Sequence, residues 1–493
     1  MSTSSAPKTA DEFLGMSEDG FRYELVRGEV MPAYPAPMTT SRFIRFPFSI
    51  RSTPGADLPG GYRGPAWYHR AAMRITILSV GSRGDVQPYV ALGKGLAAAG
   101  HEVRLATHSA FEGFVRGHGL DFGSVGLDPF EILKEVIPDW HVARRHPVRL
   151  VRKMKAILGP VIDEYLAGCA SACQGSEAIV FSPLGSAGWH VAESLRVPRV
   201  LAMIQPLEPT QEFPSPLVPQ ALGRLRLLNR STYTMNDLSG WIFSRSLVNG
   251  WRAKTLGLPP LPWLESPQER MRAERVVTLH GYSEAVSPRA RDWGETTHVT
   301  GYWFLDGSGS WTPPQPLARF LADGPPPVFV GFGSVFGHDP RKLAKTVVEA
   351  LRLSGQRGVL LTGHGALDGT EVPPEIHAIE EAPFERLFPR MSAVVHHGGV
   401  GTVGASLRVG RPTVVVPFFF DQPFWGDRVA RLGAGPAPIP VSRLTPERLA
   451  VAIRQAVSDE GIARRAAEIG RAIRAEDGVG RAVEVLERVL SGR

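Results

Sequence analysis

The feature that most restricts the fold of this chain is a repeated alternation of short β-branched apolar runs with amphipathic stretches. RITILSV (74–80) runs into a Gly-rich turn and then into VQPYVALGKGLAAAG, which has helical spacing. EVRLAT (102–107) is followed by FEGFVRGHG (111–119), and further apolar runs come at AIVFS (178–182), RVLAMI (199–204) and RVVTLH (275–280). Strands separated by helices cannot pair as hairpins, so they predict parallel sheets covered on both faces. The stretch GSGSWTPPQPLARFLADGPPP (307–327) interrupts the pattern with Pro and Gly, with room for a short helix at PLARFLADG. The alternation then restarts with PVFVGFGS (327–334), RKLAKTVVEALRLSG (341–355), GVLLTG (358–363), SAVVHHGG (392–399) and PTVVVPF (412–418), before a largely helical tail. The expected architecture is α/β: two doubly wound Rossmann-like domains, 73–306 and 327–493, joined by a linker at 307–326. Such domains bind ligands in the crevice outside the carboxyl ends of their strands.

Residues 1–72 differ. MPAYPAPMTTSRF and RSTPGADLPGGYRGPAWYHR are rich in Pro, Gly and Arg without sustained periodicity, so this segment reads as a poorly structured extension with little core of its own. Within it, TADEFLGMSEDGFRYELVRGEV (9–30) resembles the opening of a bacterial family of restriction-endonuclease-like proteins, without the rest of such a domain. Met73 is a natural start for the alternating region. The 55 Lys and Arg exceed the 48 Asp and Glu by seven, and six of that excess lie in HVARRHPVRLVRKMK (141–155), as Arg144, Arg145, Arg149, Arg152, Lys153 and Lys155. Without a basic stripe beside stacking aromatics, a nucleic-acid partner is not expected. Two cysteines, Cys169 and Cys173, are too few for a disulfide framework or a four-thiolate zinc site. They read as small buried residues on one helix face in a reducing cytoplasm. No run of about eighteen apolar residues suggests a membrane span.

Chemistry concentrates in VVHHGGVGTVGASLRVGRPTVVVPFFFDQPFWGDRV (394–429). A strand delivers His396 and His397 into a loop with Gly398, Gly399 and Gly401, and a helix begins around Thr402. Glycines allow close backbone approach, and a helix N-terminus presents unpaired N–H groups and a positive dipole end to phosphate. Asp421 and Gln422 come next; they serve as helix-capping residues or as a polar pair facing a ligand, and the two roles are compatible.

HHGGVGT followed by PFFFDQPFWGDRV resembles the nucleotide-sugar signature of the inverting GT-B glycosyltransferases, in particular the sterol glucosyltransferase branch. VGSRGDVQPYVALGKGLAAAGHEVRLATH (80–108) and VFVGFGSV (328–335) resemble further motifs of that family in the same order, so the resemblance spans about residues 73–493. It implies that His397, with backbone from Gly399, Gly401 and Thr402, holds a diphosphate, and that Ser334 binds a phosphate oxygen. It implies that Asp421 and Gln422 read the donor sugar's hydroxyls, and that Asp85 takes the proton of the attacking acceptor hydroxyl. The alternative for Asp85 is a loop carboxylate capping a helix that begins near Pro88. Gly81, Arg83 and Gly84, with His396 and Gly398, shape the phosphate-facing loops; Arg83 either pairs with Asp85 or faces the phosphates.

The sequence departs from the wider family at two places. Ala405 stands where many members carry a ribose-binding Glu, and Glu381 where they carry a base-stacking Trp before Ala-Pro. No metal-ligand spacing is visible and no bound cofactor is expected, the sugar nucleotide being a co-substrate: a UDP-sugar, with UDP-glucose the first expectation, and these two departures leave UDP and TDP both open as the nucleotide. The expected activity is transfer of a hexose to a hydroxyl of a lipophilic acceptor such as a sterol. The alternatives are tailoring of a polyketide or peptide aglycone, and a non-catalytic sugar-nucleotide binder. The basic segment 141–155 reads either as a peripheral contact with the inner face of the membrane or as a solvated helix face. Trp189, Trp241, Phe243 and Trp251 read as an acceptor pocket or as core.

Overall fold

The computed structural model describes residues 23–26, 29–32, 72–126, 161–220, 223, 226–307, 311–333, 339–362 and 372–491. The chain forms two units, 1–71 and 72–493. In the first unit, β1 (Tyr23–Val26) and β2 (Glu29–Pro32) pair antiparallel, from Tyr23 opposite Pro32 to Val26 opposite Glu29. That ladder lies in a segment whose composition predicts no strand.

The second unit holds two parallel sheets. The first comprises β3 (Arg74–Leu78), β4 (Glu102–Thr107), β5 (Asp121–Ser124), β6 (Ala178–Phe181), β7 (Arg199–Met203), β8 (Val277–His280) and β9 (Thr297–Val299), in the order β5-β4-β3-β6-β7-β8-β9. The second comprises β10 (Val328–Gly331), β11 (Gly358–Leu361), β12 (Ile376–Ile379), β13 (Ala393–His396) and β14 (Thr413–Val415), in the order β12-β11-β10-β13-β14. All of these ladders are parallel. The interior strands β6, β10, β11 and β13 are buried throughout, as unbroken Val/Ile/Leu/Phe runs require when helices cover both faces. In each sheet the first strand sits centrally and the order reverses beside it, between β3 and β6 and between β10 and β13. A parallel sheet opens its ligand crevice at that reversal, so the segments leaving β3, β10 and β13 are placed to form a site.

Nine strands fall where the apolar runs placed them. The three that the pattern missed, β5, β9 and β12, are all sheet edges, with short and partly exposed sequences. The linker contains the helix Gln315–Ala322. Trp189, Trp241 and Trp251 lie in an apolar core cluster with the two buried, free cysteines, so these indoles are core and not a pocket wall.

Four helices carry the site and the outer face of the first domain: α1 (Arg83–Ala98), α2 (Arg226–Lys254), α3 (Val400–Arg408) and α4 (Gln422–Arg431). A fifth, α5 (Gly478–Leu490), ends the described chain and packs against α1 of the first domain, although sequence alone assigns the whole tail to the second. A side chain at Gly95 of α1 would collide with Val479 of α5. His101 Nε2 lies 2.6 Å from Glu487 Oε1, which fixes the far end of α5. One apolar cluster runs through both domains, with Ile77, Tyr89 and Trp303 from the first and Val403, Leu407 and Trp425 from the second. Replacing Gly95 with Leu overpacks the α1–α5 contact and is expected to lower stability by ~1–3 kcal/mol. An unchanged urea midpoint would contradict that packing.

Candidate active site

On the first-domain side, β3 ends at Leu78 and Gly81 takes a left-handed φ of +144°, where a side chain would collide with Asp85. Helix α1 begins at Arg83, so Asp85 lies in its first turn and not in a loop before it. Pro88 is inside the helix, where its missing N–H leaves the Gly84 carbonyl without its usual helical partner. Ser82 donates to Asp85 Oδ2 from both its backbone N–H (2.9 Å) and its hydroxyl (2.8 Å), and Ser79 Oγ donates to the Asp85 carbonyl at 2.8 Å. The capping role is therefore real, but it occupies one carboxylate oxygen. Oδ1 meets no donor among the described residues. Burial raises the Asp85 pKa, and the two Ser82 bonds pull against it. Arg83 pairs with neither Asp85 nor any other acid among the described residues: its Nε donates to Gln87 Oε1 at 3.2 Å and its guanidinium lies 5.0 Å from the Phe114 ring centre. Gly84 is exposed in the first turn of α1.

On the second-domain side, β13 carries His396 to full burial. Its Nδ1 accepts from the Gly398 N–H at 2.9 Å and holds the turn, with Gly398 at φ +93°. His397 is next, its ring between Gly333 and Gly399. A Cβ at Gly399 would lie 2.6 Å from His397 Nε2, so only glycine leaves the imidazole its place. Among the described residues His397 Nδ1 is buried without a partner, and burial pushes the pKa down to about 4, so the ring is neutral at physiological pH. It acts as a hydrogen-bonding group, not as a cation.

Gly399 is the N-cap of α3 and supplies no side chain to cap it; the first helical bond runs from Val403 N to Gly399 O. The first-turn amides of Val400, Gly401 and Thr402 therefore have no acceptor within the helix. Open space lies beside Gly401. An uncapped, glycine-lined helix start next to an unpartnered neutral imidazole suits an anionic oxygen cluster. Ser334 lies outside the described residues, as does 141–155.

The third element is the turn into α4. Phe420 holds an unfavourable φ of +52° and is 65% exposed. Asp421 occupies the N-cap position, yet its side chain makes no bond to the helix backbone; Trp425 Nε1 donates to Asp421 Oδ2 at 2.8 Å instead. Gln422 is buried, and its Oε1 accepts from the Phe418 (2.8 Å) and Phe419 (3.2 Å) amides. Only its NH₂ remains to donate, so Gln422 does not both accept and donate as its residue type suggests. Asp421 has its pKa pushed up to about 6 by burial, with the Trp425 bond opposing and the charge of Asp85 adding to the rise. The carboxylates of the two domains are thus close enough to sense each other.

Ser82 and Trp425 are site residues that the motifs alone do not single out. The Ser-x-x-Asp spacing of a capping box and the i, i+4 spacing of Asp421 and Trp425 are the signals that point to them. Among the described residues, no group of His, Cys, Asp and Glu has the arrangement of a metal site.

Residues 75–214 match the glycosyltransferase family 28 N-terminal domain, and residues 359–486 match the erythromycin biosynthesis protein CIII-like C-terminal domain. By these domains and by its fold, the chain is a member of the GT-B glycosyltransferases. Within them it is similar to sterol 3-beta-glucosyltransferases. The protein of that name from Cryptococcus neoformans is 40% identical over 443 residues, covering 85% of this chain and 27% of the relative. Those from Emericella nidulans and Yarrowia lipolytica are each 39% identical, covering 85% of this chain and 30% and 29% of the relatives. The chain thus spans under a third of the length of these curated relatives. Among solved structures, the calicheamicin glycosyltransferase has a TM-score of 0.60 at 19% identity, covering 86% of this chain and 99% of its own. The glycosyltransferase VinC in complex with dTDP has a TM-score of 0.58 at 19% identity, covering 85% and 100%.

Because the ionised form of Asp421 is the strained one, its contribution runs against stability as pH rises from the ordinary carboxylate range through about 6. Asp421→Asn is expected to melt higher than the wild type at about pH 8, with the gain vanishing at about pH 4. Equal differences at both pH values would contradict a raised pKa. Trp425→Phe removes the opposing hydrogen bond. It is expected to move the Asp421 titration upward, read from the pH dependence of sugar-nucleotide binding; an unmoved titration would contradict the bond's influence.

Proposed function

We propose that this chain is an inverting glycosyltransferase that moves glucose from UDP-glucose to the hydroxyl of a sterol or a similar lipophilic alcohol. The observation that carries the proposal is the α3 helix start, whose first-turn amides no side chain caps, set beside the buried, unpartnered Nδ1 of His397 among the described residues. In this reading the diphosphate lies against the amides of Gly399, Gly401 and Thr402 and accepts a hydrogen bond from neutral His397. Ser334, three residues after the end of β10 in the sequence, joins them in this reading. Asp421 accepts from the sugar hydroxyls and Gln422 donates to them.

The acceptor oxygen attacks the anomeric carbon from the face opposite the diphosphate. As the new C–O bond forms, the bond to the diphosphate oxygen breaks and Asp85 takes the hydroxyl proton. Oδ1 is the oxygen available for it, since Ser82 holds Oδ2. The raised pKa of Asp85 suits a base that must accept a proton near neutrality. The leaving diphosphate is stabilised by oriented backbone dipoles, which need no reorganisation as charge develops.

The names of the relatives support a sterol acceptor and a glucosyl group. Binding of dTDP by VinC supports a nucleoside diphosphate donor. Ala405 lies among apolar neighbours in the second domain, so ribose recognition falls to other groups. Tailoring of a natural-product aglycone is the second reading, favoured by solved neighbours such as the calicheamicin enzyme. We place the protein in the cytoplasm, where Cys169 and Cys173 stay reduced, with segment 141–155 as a peripheral membrane contact.

Asp85→Asn is expected to cut transfer by ~10²–10⁴ while UDP binding persists, since the change removes the proton acceptor and leaves the second domain intact. Transfer at the wild-type rate would eliminate Asp85 as base. Product detection by mass spectrometry across sterols and polyketide aglycones decides between the two acceptor readings.

A further inference from the structure

Helix α2 is 29 residues long and carries an unusual outer face. Of the twelve large apolar side chains exposed among the described residues, five lie on α2 and two more on the adjoining segment, at Trp263 and Leu264. Leu228, Met235 and Ile242 recur every seven residues, so they form one stripe along the helix. Met235 is 69% exposed and Leu264 73%. The segment that bears Trp263 is fastened alongside: Trp241 Nε1 donates to Pro262 O at 3.1 Å, and the Arg245 guanidinium lies 4.5 Å from the Trp263 ring centre.

The charge on this helix is almost all of one sign. Its only acid, Asp237, is taken by Arg272 at 2.7 Å. Arg252 is buried and spent on Glu193. Arg226, Arg230, Arg245 and Lys254 are spread along the length, and among the described residues none of them closes an ion pair; Arg230 acts on Glu208 and Asp292 only at longer range. A soluble monomer seldom gathers so much of its exposed apolar surface beside such cations. No helix among the described residues is long and apolar enough to cross a membrane, so the arrangement is that of an element lying in an interface.

We propose that the outer face of α2, with Trp263 and Leu264, docks onto a lipid bilayer with anionic headgroups. The Leu228–Met235–Ile242 stripe enters the acyl boundary while Arg245 and Lys254, on its flanks, meet the headgroup phosphates, and Arg245 with Trp263 forms an amphipathic edge at the water line. This inference concerns where the first domain sits and stands whether or not the acceptor is a sterol.

The test is co-sedimentation of the full chain with phosphatidylcholine vesicles, with and without phosphatidylglycerol, comparing the wild type with the triple variant Leu228→Ser, Met235→Ser, Ile242→Ser. Leu353→Ser, an exposed leucine elsewhere, is the control. The wild type is expected to bind only when phosphatidylglycerol is present and to be released by salt. The triple variant is expected to bind at least about tenfold more weakly with an unchanged melting temperature, and the control to bind normally. Wild-type binding by the triple variant, or indifference to phosphatidylglycerol, would overturn the proposal. So would a wild-type dimer that the same three substitutions render monomeric, since the face would then belong to a second copy of the chain.

Discussion

The contact on which the site's architecture turns is made by Trp425. Its indole N–H fixes the Asp421 carboxylate, while its ring packs edge-on against Tyr282 of the first domain, with centroids 5.6 Å apart. Neighbours reinforce this: Phe424 packs on Phe213, and Arg428 Nε donates to Val286 O at 3.0 Å. The helix that aims an acid into the crevice is therefore also the helix that the first domain grips. Because the indole is fully buried, its N–H has little water to compete for it, and Asp421 has a fixed partner before any ligand arrives.

The electrostatics follow a common logic of partial burial. Desolvation lifts both acids and depresses His397, so burial works against the charged form of each of these groups, and the imidazole is neutral. What remains to attract an anion is geometry: first-turn amides that no side chain caps and a ring nitrogen without a partner among the described residues. Polar groups held open in this way are costly to the fold and useful to a ligand.

Much of this architecture is legible in the sequence because parallel interior strands are continuous apolar runs. RITIL, AIVF, VFVG and AVVH announce themselves, since both faces are covered. DFGS, THV and IHAI do not, since an edge strand packs less apolar surface and its polar residues read as loop. Helix α2 is hidden for a related reason. Its exposed apolar residues and buried Asn229, Thr232 and Arg252 blur the two-faced pattern by which a surface helix is recognised. At the site, the glycines and histidines are found by type, but their assignments need coordinates. The sequence does not state that Gln422 has committed its oxygen to the Phe418 and Phe419 amides, or that Arg83 turns toward Phe114. Conversely, Pro88 suggests a first-turn position and so misplaces the helix start, whereas the Ser82–Asp85 capping box has already begun the helix five residues earlier.

The return of α5 to the first domain has a mechanical consequence. The chain crosses between the domains twice, once after β9 and once before Gly478, and the two crossings touch: a Cβ at Gly478 would collide with the Tyr302 carbonyl oxygen. Ser283 Oγ, donating to Glu476 Oε1 at 2.7 Å, ties the second crossing to the first domain. Two abutting strands of covalent chain define an axle, not a flexible string. Rotation about that axle remains available, whereas sliding or twisting of one sheet past the other must stretch one crossing against its neighbour. Any opening of the crevice is thereby steered along one path.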